Sequence, residues 1–143
     1  MIRVVLVLFL ISLGLAMVFH EQLQPICTVP YTDENFDVAH KTCYFLTELD
    51  DPVGQYVLAL MYLNGQGVAV DDAKALKLFQ ASAEQGHAAA QYNLGNLYLA
   101  GQGVVRDEAE AVRWLEMAAE QGNLEAQSRL RVIEAASTGA SRN

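Results

Sequence analysis

Cys27, Cys43, His20, His40 and His87 are the residues of this chain best suited to metal or thiol chemistry. His40 and Cys43 stand one helical turn apart, and Cys27 lies in a Pro-containing stretch upstream. A structural zinc site takes four ligands. His20 and His87 are too distant in sequence to complete this one, so no metal and no cofactor is assigned. Other catalytic devices are equally incomplete. Gly65-Gln66-Gly67 and Gly101-Gln102-Gly103 lack the third glycine and the lysine of phosphate-binding loops. No serine stands three residues before a lysine, and no Gly-x-Ser-x-Gly is present. The acidic pairs Asp50-Asp51 and Asp71-Asp72 suit helix N-termini, where carboxylates accept backbone N–H bonds and meet the helix dipole. No catalytic residue is assigned, and the chain is not expected to be an enzyme.

The elements that carry these residues repeat. Residues 51–86 laid over 87–122 agree at an offset of 36 positions. Gln55-Tyr56 falls on Gln91-Tyr92, Tyr62-Leu63 on Tyr98-Leu99, and Gly65-Gln66-Gly67-Val68 on Gly101-Gln102-Gly103-Val104. Ala83-Glu84-Gln85-Gly86 falls on Ala119-Glu120-Gln121-Gly122. A fixed period of this length marks a solenoid of stacked supersecondary units. Each unit reads as helix A, loop, helix B. Asp51 caps helix A of the first unit, with Pro52 at the first helical position. Paired glycines reverse the chain. Asp71 and Asp107 cap the B helices, and Gly86 and Gly122 end them. Many alanines bring helix backbones close, while Leu, Tyr, Phe79 and Trp114 fill the space between them. One such hairpin cannot bury its apolar face alone, whereas stacked neighbours can.

Ala90-x-x-x-Leu94-Gly95-x-x-Tyr98-x-x-Gly101-x-Gly103-Val104-x-x-Asp107, followed by Ala111-x-x-Trp114-x-x-x-Ala118-Ala119-x-x-Gly122, closely resembles the Sel-1-like repeat, a longer-looped relative of the tetratricopeptide repeat. The first unit departs at Gly54, Ala59 and Leu78, where the pattern has Ala, Gly and Trp. The resemblance implies an all-α fold, a short α-solenoid that binds proteins or peptides without catalysis. Some exported relatives have been linked to β-lactam binding, but the Ser-Lys spacing used for that chemistry in other folds is missing here.

The flanks extend the array. Ala39, Cys43 and Glu48 lie one period before Ala75, Phe79 and Glu84, so 37–49 is expected to be a degenerate helix B at the N-terminal end. Asp50 stands where the terminating glycine would be. Asn123 caps a last helix A over 123–136, with Arg129, Arg131 and Glu134 on a polar outer face, and 137–143 is expected to be a frayed tail. Residues 21–50 comprise an irregular segment and the half-repeat helix. Cys27 and Cys43 both precede the full repeats, and an oxidising compartment favours a Cys27–Cys43 disulfide. Cys43 also occupies the Phe79 position, so a plain buried thiol is the alternative.

Residues 1–20 are expected to be a signal peptide or signal anchor. Arg3 is followed by the apolar run Val4–Phe19, which lies between a signal core of about 7–15 residues and a span of about 17–25. An uncleaved anchor would keep Arg3 in the cytoplasm and export the repeats. Cleavage after Ala16 would release them instead. A net charge of −8 with scattered Lys and Arg argues against nucleic acid. Lys74/Lys77 and Arg129/Arg131 read as solvated helix faces.

These features point to a protein-interaction module of the cell envelope, facing the periplasm, with a protein or peptide as partner. An envelope enzyme, a glycan-binding protein and a structural accessory subunit of a membrane complex are the other readings. By likeness to the tetratricopeptide pattern, the concave face falls on Tyr56, Leu60 and Leu63 and on Tyr92, Asn96 and Leu99.

Overall fold

A computed structural model describes residues 36–140. These form six α-helices and no strand: α1 (Phe36–Glu48), α2 (Pro52–Asn64), α3 (Asp72–Glu84), α4 (Ala88–Ala100), α5 (Glu108–Glu120) and α6 (Leu124–Ala140). Helices α2/α3 and α4/α5 are the two full A/B units. They are flanked by a lone helix B, α1, and a lone helix A, α6. Each helix packs on its chain neighbours, most extensively inside the A/B pairs.

Local chemistry explains the boundaries. The Asp51, Asp71 and Asp107 side chains accept the N–H groups of Gly54, Lys74 and Glu110 at 2.6, 2.9 and 3.0 Å. Asn123 accepts from Ala126 N–H at 2.8 Å. Each cap satisfies a donor that the helix cannot, which contributes about 1 kcal/mol. Helices α2 and α4 end on Gly65 and Gly101, both left-handed with φ 68°. Their N–H groups return to the Met61 and Leu97 carbonyls. Asp71 N–H then bonds Tyr62 O, and Asp107 N–H bonds Tyr98 O, pinning each B helix start to its A helix end.

Position 50 shows how far the repeat geometry reaches. Gly86 and Gly122 follow the B helices at φ 89° and 88°, and Asp50 adopts the same left-handed region at φ 58°. Its carboxylate accepts from Gln55 Nε2 at 2.8 Å and Gln85 Nε2 at 3.3 Å, which offsets the conformational cost. The departure at Gly54 has a steric cause: a Cβ there would collide with Leu46 of α1.

The core runs through the stack as three adjoining clusters. Phe79, Leu94, Leu97 and Trp114 centre the middle one, with Ala59, Ala75, Ala83 and Ala90 letting the helices close on them. Cys43, Leu46 and Met61 are buried at the α1 end, and Leu115, Ala118 and Ala126 at the α6 end. Polar rungs tie successive units. The buried Gln91 donates to Ala83 O at 3.1 Å and accepts from Gln121 Nε2 at 2.7 Å. Gln127 donates to Ala119 O at 3.2 Å, one period on. Each buried amide is therefore satisfied, as a core requires.

The C-terminal boundary differs from expectation. Helix α6 continues through Ser137 and Thr138 to Ala140, rather than ending at 136 in a frayed tail. The Ser137 and Thr138 hydroxyls donate to the Glu134 carbonyl at 2.8 and 3.0 Å, so these polar residues are accommodated within the helix. The signal or anchor segment over 1–20 and Cys27 lie outside the described residues. Among the described residues no helix is long and apolar enough to cross a membrane.

Candidate functional site

The six residues expected on the inner face of the A helices all emerge half-buried at the seams between successive units. Tyr56, Leu60 and Leu63 of α2 pack against the middle cluster that includes Leu94 and Leu97 of α4. Tyr92 and Leu99 of α4 pack, with Leu130 and Ile133 of α6, against the cluster of Leu115, Ala118 and Ala126. Asn96 is half-buried, and its amide makes no hydrogen bond among the described residues. The two tyrosines are thus wall residues, with one side against the core and one side toward solvent.

Although built from equivalent positions, the two seams differ in shape. In the first, Tyr56 contacts the Phe79 ring at 5.9 Å and the His87 ring at 4.7 Å between centroids. Burial pushes the Tyr56 phenol up from its ordinary range, partly offset by a hydrogen bond with Asn93. In the second, Tyr92 has neither ring partner nor hydrogen bond among the described residues. Its surroundings have changed: Leu115 replaces Phe79, Asn123 replaces His87, and Ser128 stands at the Tyr92 position of the next helix. The result is an open cavity of about 410 Å³ lined by Tyr92, Leu124, Glu125, Ser128, Arg129 and Val132.

His40 packs its ring near Tyr44 and Tyr62, at 6.4 and 6.3 Å. Cys43 is fully buried on the same helix. Among the described residues no three His, Cys, Asp or Glu side chains group to hold a metal.

A family model for the Sel1 repeat matches residues 52–87 and 88–123, the two full units. The chain belongs to the Sel1-repeat family. Members of this family are generally protein-interaction modules. Solved Sel1-type structures superpose on the chain. A Sel1 repeat protein from Oxalobacter formigenes is 37% identical with a TM-score of 0.65, covering 66% of this chain and 71% of that one. The c5321 protective antigen of uropathogenic Escherichia coli, which displays an SLR fold, is 31% identical with a TM-score of 0.69. That match covers 83% of this Sel1 chain but only 26% of the antigen. Cysteine rich protein B of Helicobacter pylori shares the fold at 22% identity and a TM-score of 0.65, over 82% of this chain and 93% of that one. No curated protein matches the chain.

Two residues of this Sel1 stack gained importance only from the structure. Arg129, read from sequence as a solvated face, lines the cavity. His87 is the N-cap of α4, its Nδ1 accepting from Ala90 N–H at 3.2 Å where the other A helices use Asp51 and Asn123. Comparison of positions 51, 87 and 123 in the aligned repeats contains that signal. A protonated imidazole cannot accept this bond. Burial depresses the His87 pKa below its ordinary value, and the Asp51 charge works in the opposite direction. With the folded pKa depressed, the cap is intact above the unfolded pKa and is lost as pH falls through the folded one. Thermal stability is therefore expected to fall by about 1 kcal/mol in mildly acidic buffer, the usual cost of a lost cap. His87→Asn should flatten that part of the profile, as followed by circular-dichroism melts across pH.

Proposed function

We propose that the chain is a non-enzymatic interaction module of the cell envelope, binding a protein or peptide segment along the inner face of its A helices. The observation that carries this is the line of half-buried, half-exposed side chains at both seams, Tyr56, Leu60 and Leu63, then Tyr92, Asn96 and Leu99. Tyrosine offers a large contact area with a polar tip, and aromatic anchors in partly desolvated sites dominate interface energies. Asn96 brings an amide able to pair with an extended backbone. Tyr56→Ala/Tyr92→Ala should retain its helical circular-dichroism signal and lose the partner recovered by crosslinking and pull-down from membranes. A folded double mutant that still binds would place the surface elsewhere.

The envelope assignment rests on the apolar Val4–Phe19 run behind Arg3, which supports export of the repeats, either anchored in the inner membrane through residues 4–19 or released by cleavage. An exported chain would pair Cys27 with Cys43. Closing a loop of about 15 residues would contribute about 3 kcal/mol. Both ideas meet in one measurement. Protein taken from cells without reductant, then denatured, should show no thiol open to alkylation, and a reporter active only after export should work when fused after Asn143. Two labelled thiols per chain, or a reporter active only in the cytoplasm, would overturn this placement.

A further inference from the structure

The second seam is an incomplete copy of the first. His87 caps α4 and also lays its ring against Tyr56, whereas the equivalent Asn123 caps α6 but has no ring to lay on Tyr92. Where Asn93 bonds Tyr56, the equivalent residue is Arg129. The cavity beside Tyr92 follows from these replacements and from Ser128, too small to fill the space. Repeat logic thus specifies the missing piece: a flat ring against Tyr92.

Charge specifies what accompanies it. Lys74, Arg106 and Arg113 each pair with an acidic residue close in sequence, Asp71, Glu108 and Glu110. Arg131 bonds Gln127 O and Ser128. Arg129 is exposed and makes no ion pair or hydrogen bond among the described residues. Glu125 lines the same cavity one turn earlier and repels an acid at its own end. Leu124 and Val132, 70% and 63% exposed, provide apolar ground along α6. The small residue through which helix B approaches helix A, Ala59 in α2 and Gly95 in α4, is Arg131 in α6. The close-packing position of α2 and α4 thus carries a long side chain in α6.

Resting on the reading of this chain as a protein-binding module, we propose that the α4/α6 seam is a socket for an extended segment of a partner protein that carries an aromatic side chain next to a carboxylate. The ring stacks on Tyr92 and lies over Leu124 and Val132. The carboxylate pairs with the Arg129 guanidinium, away from Glu125. Aromatic pairs favour offset or edge-on packing of this kind, and a guanidinium fork matches a carboxylate.

The probes are three capped tetrapeptides, Gly-Phe-Asp-Gly, Gly-Leu-Asp-Gly and Gly-Phe-Asn-Gly, titrated into the isotope-labelled full chain and followed by amide chemical shifts. The first should move Tyr92, Ser128, Arg129 and Val132. Replacing Phe by Leu should weaken binding about two- to tenfold, the range of one aromatic pair. Replacing Asp by Asn should weaken it about two- to fivefold, as for an exposed ion pair. Arg129→Gln, a change at a side chain with no partner to lose, should erase the Asp preference alone. Asn123→His/Ser128→Tyr, which restores two of the first seam's side chains at the cavity, should abolish binding while the helical signal is kept. Equal binding of all three peptides, shifts elsewhere, or no shifts at all would overturn the socket. So would concentration-dependent self-association blocking the seam, which would make a second copy the occupant. If the peptides fail while the envelope partner is still captured through Tyr56 and Tyr92, the module reading survives and the socket does not.

Discussion

Phe79→Ala is expected to destabilise the stack by about 3–5 kcal/mol, as for a buried aromatic truncated to alanine. Phe79 has no exposed surface and centres the cluster that joins α2, α3, α4 and α5. It also contacts the Tyr56 ring at 5.9 Å. The residues around it are held by neighbours on both sides, so the void will not close by collapse. A solenoid's stability is a sum of unit terms and nearest-neighbour interfaces. Loss of this side chain should therefore weaken the interface between the two units as well as the first unit itself. The melting temperature should drop by about 12 °C or more. Hydrogen exchange should show α2 and α3 losing protection before α5. A change of less than about 1 kcal/mol would mean the core does not pivot on this residue.

Gly103→Val should be comparably damaging, and more so than the same change at Gly101. Both glycines have left-handed backbones, with φ 70° and 68°. A β-branched residue resists that region at a cost of about 1–3 kcal/mol. Their surroundings differ. A Cβ at Gly101 would meet Arg106 at an ordinary 3.4 Å. A Cβ at Gly103 would lie 2.7 Å from the carbonyl oxygen of Asp72, at the start of α3 in the preceding unit. Backbone cannot move aside cheaply, so overpacking adds about another 1–3 kcal/mol. It would also disturb the bond from Gln102 Nε2 to Asp72 at 3.0 Å. Denaturant titrations of the two variants should rank Gly103→Val well below Gly101→Val. Equal midpoints would show that backbone strain alone acts, without the contact between units.

Period, most helix ends and family can all be read from the order of residues along the chain. Repetition assigned the helix B caps twice over, because Asp71 and Asp107 share one register, while Asp51 carried its own signal ahead of Pro52. Even the degenerate position 50 followed, with Asp50 taking the left-handed backbone of its glycine equivalents. Local hydrogen bonding and backbone sterics decide those features, and both are written in short stretches of chain. Register also told that equivalents such as Tyr56 and Tyr92 point the same way from stacked helices, though not that they are half-buried at the seams. The end of α6 was not legible, since small polar residues look like a tail until their hydroxyls are seen bonded to Glu134.

Which seam is open becomes evident once the helices are packed together. Tyr56 and Tyr92 are identical in type and register, yet one lies against His87 and Phe79 and the other borders a cavity. That difference arises from residues more than 20 positions apart, whose side-chain volumes combine only when the helices stack. Arg129 is likewise an ordinary surface cation in sequence and a cavity wall in space. Packing is a sum over neighbours that are distant along the chain, so a repeat pattern fixes where a side chain points but not how much room lies in front of it.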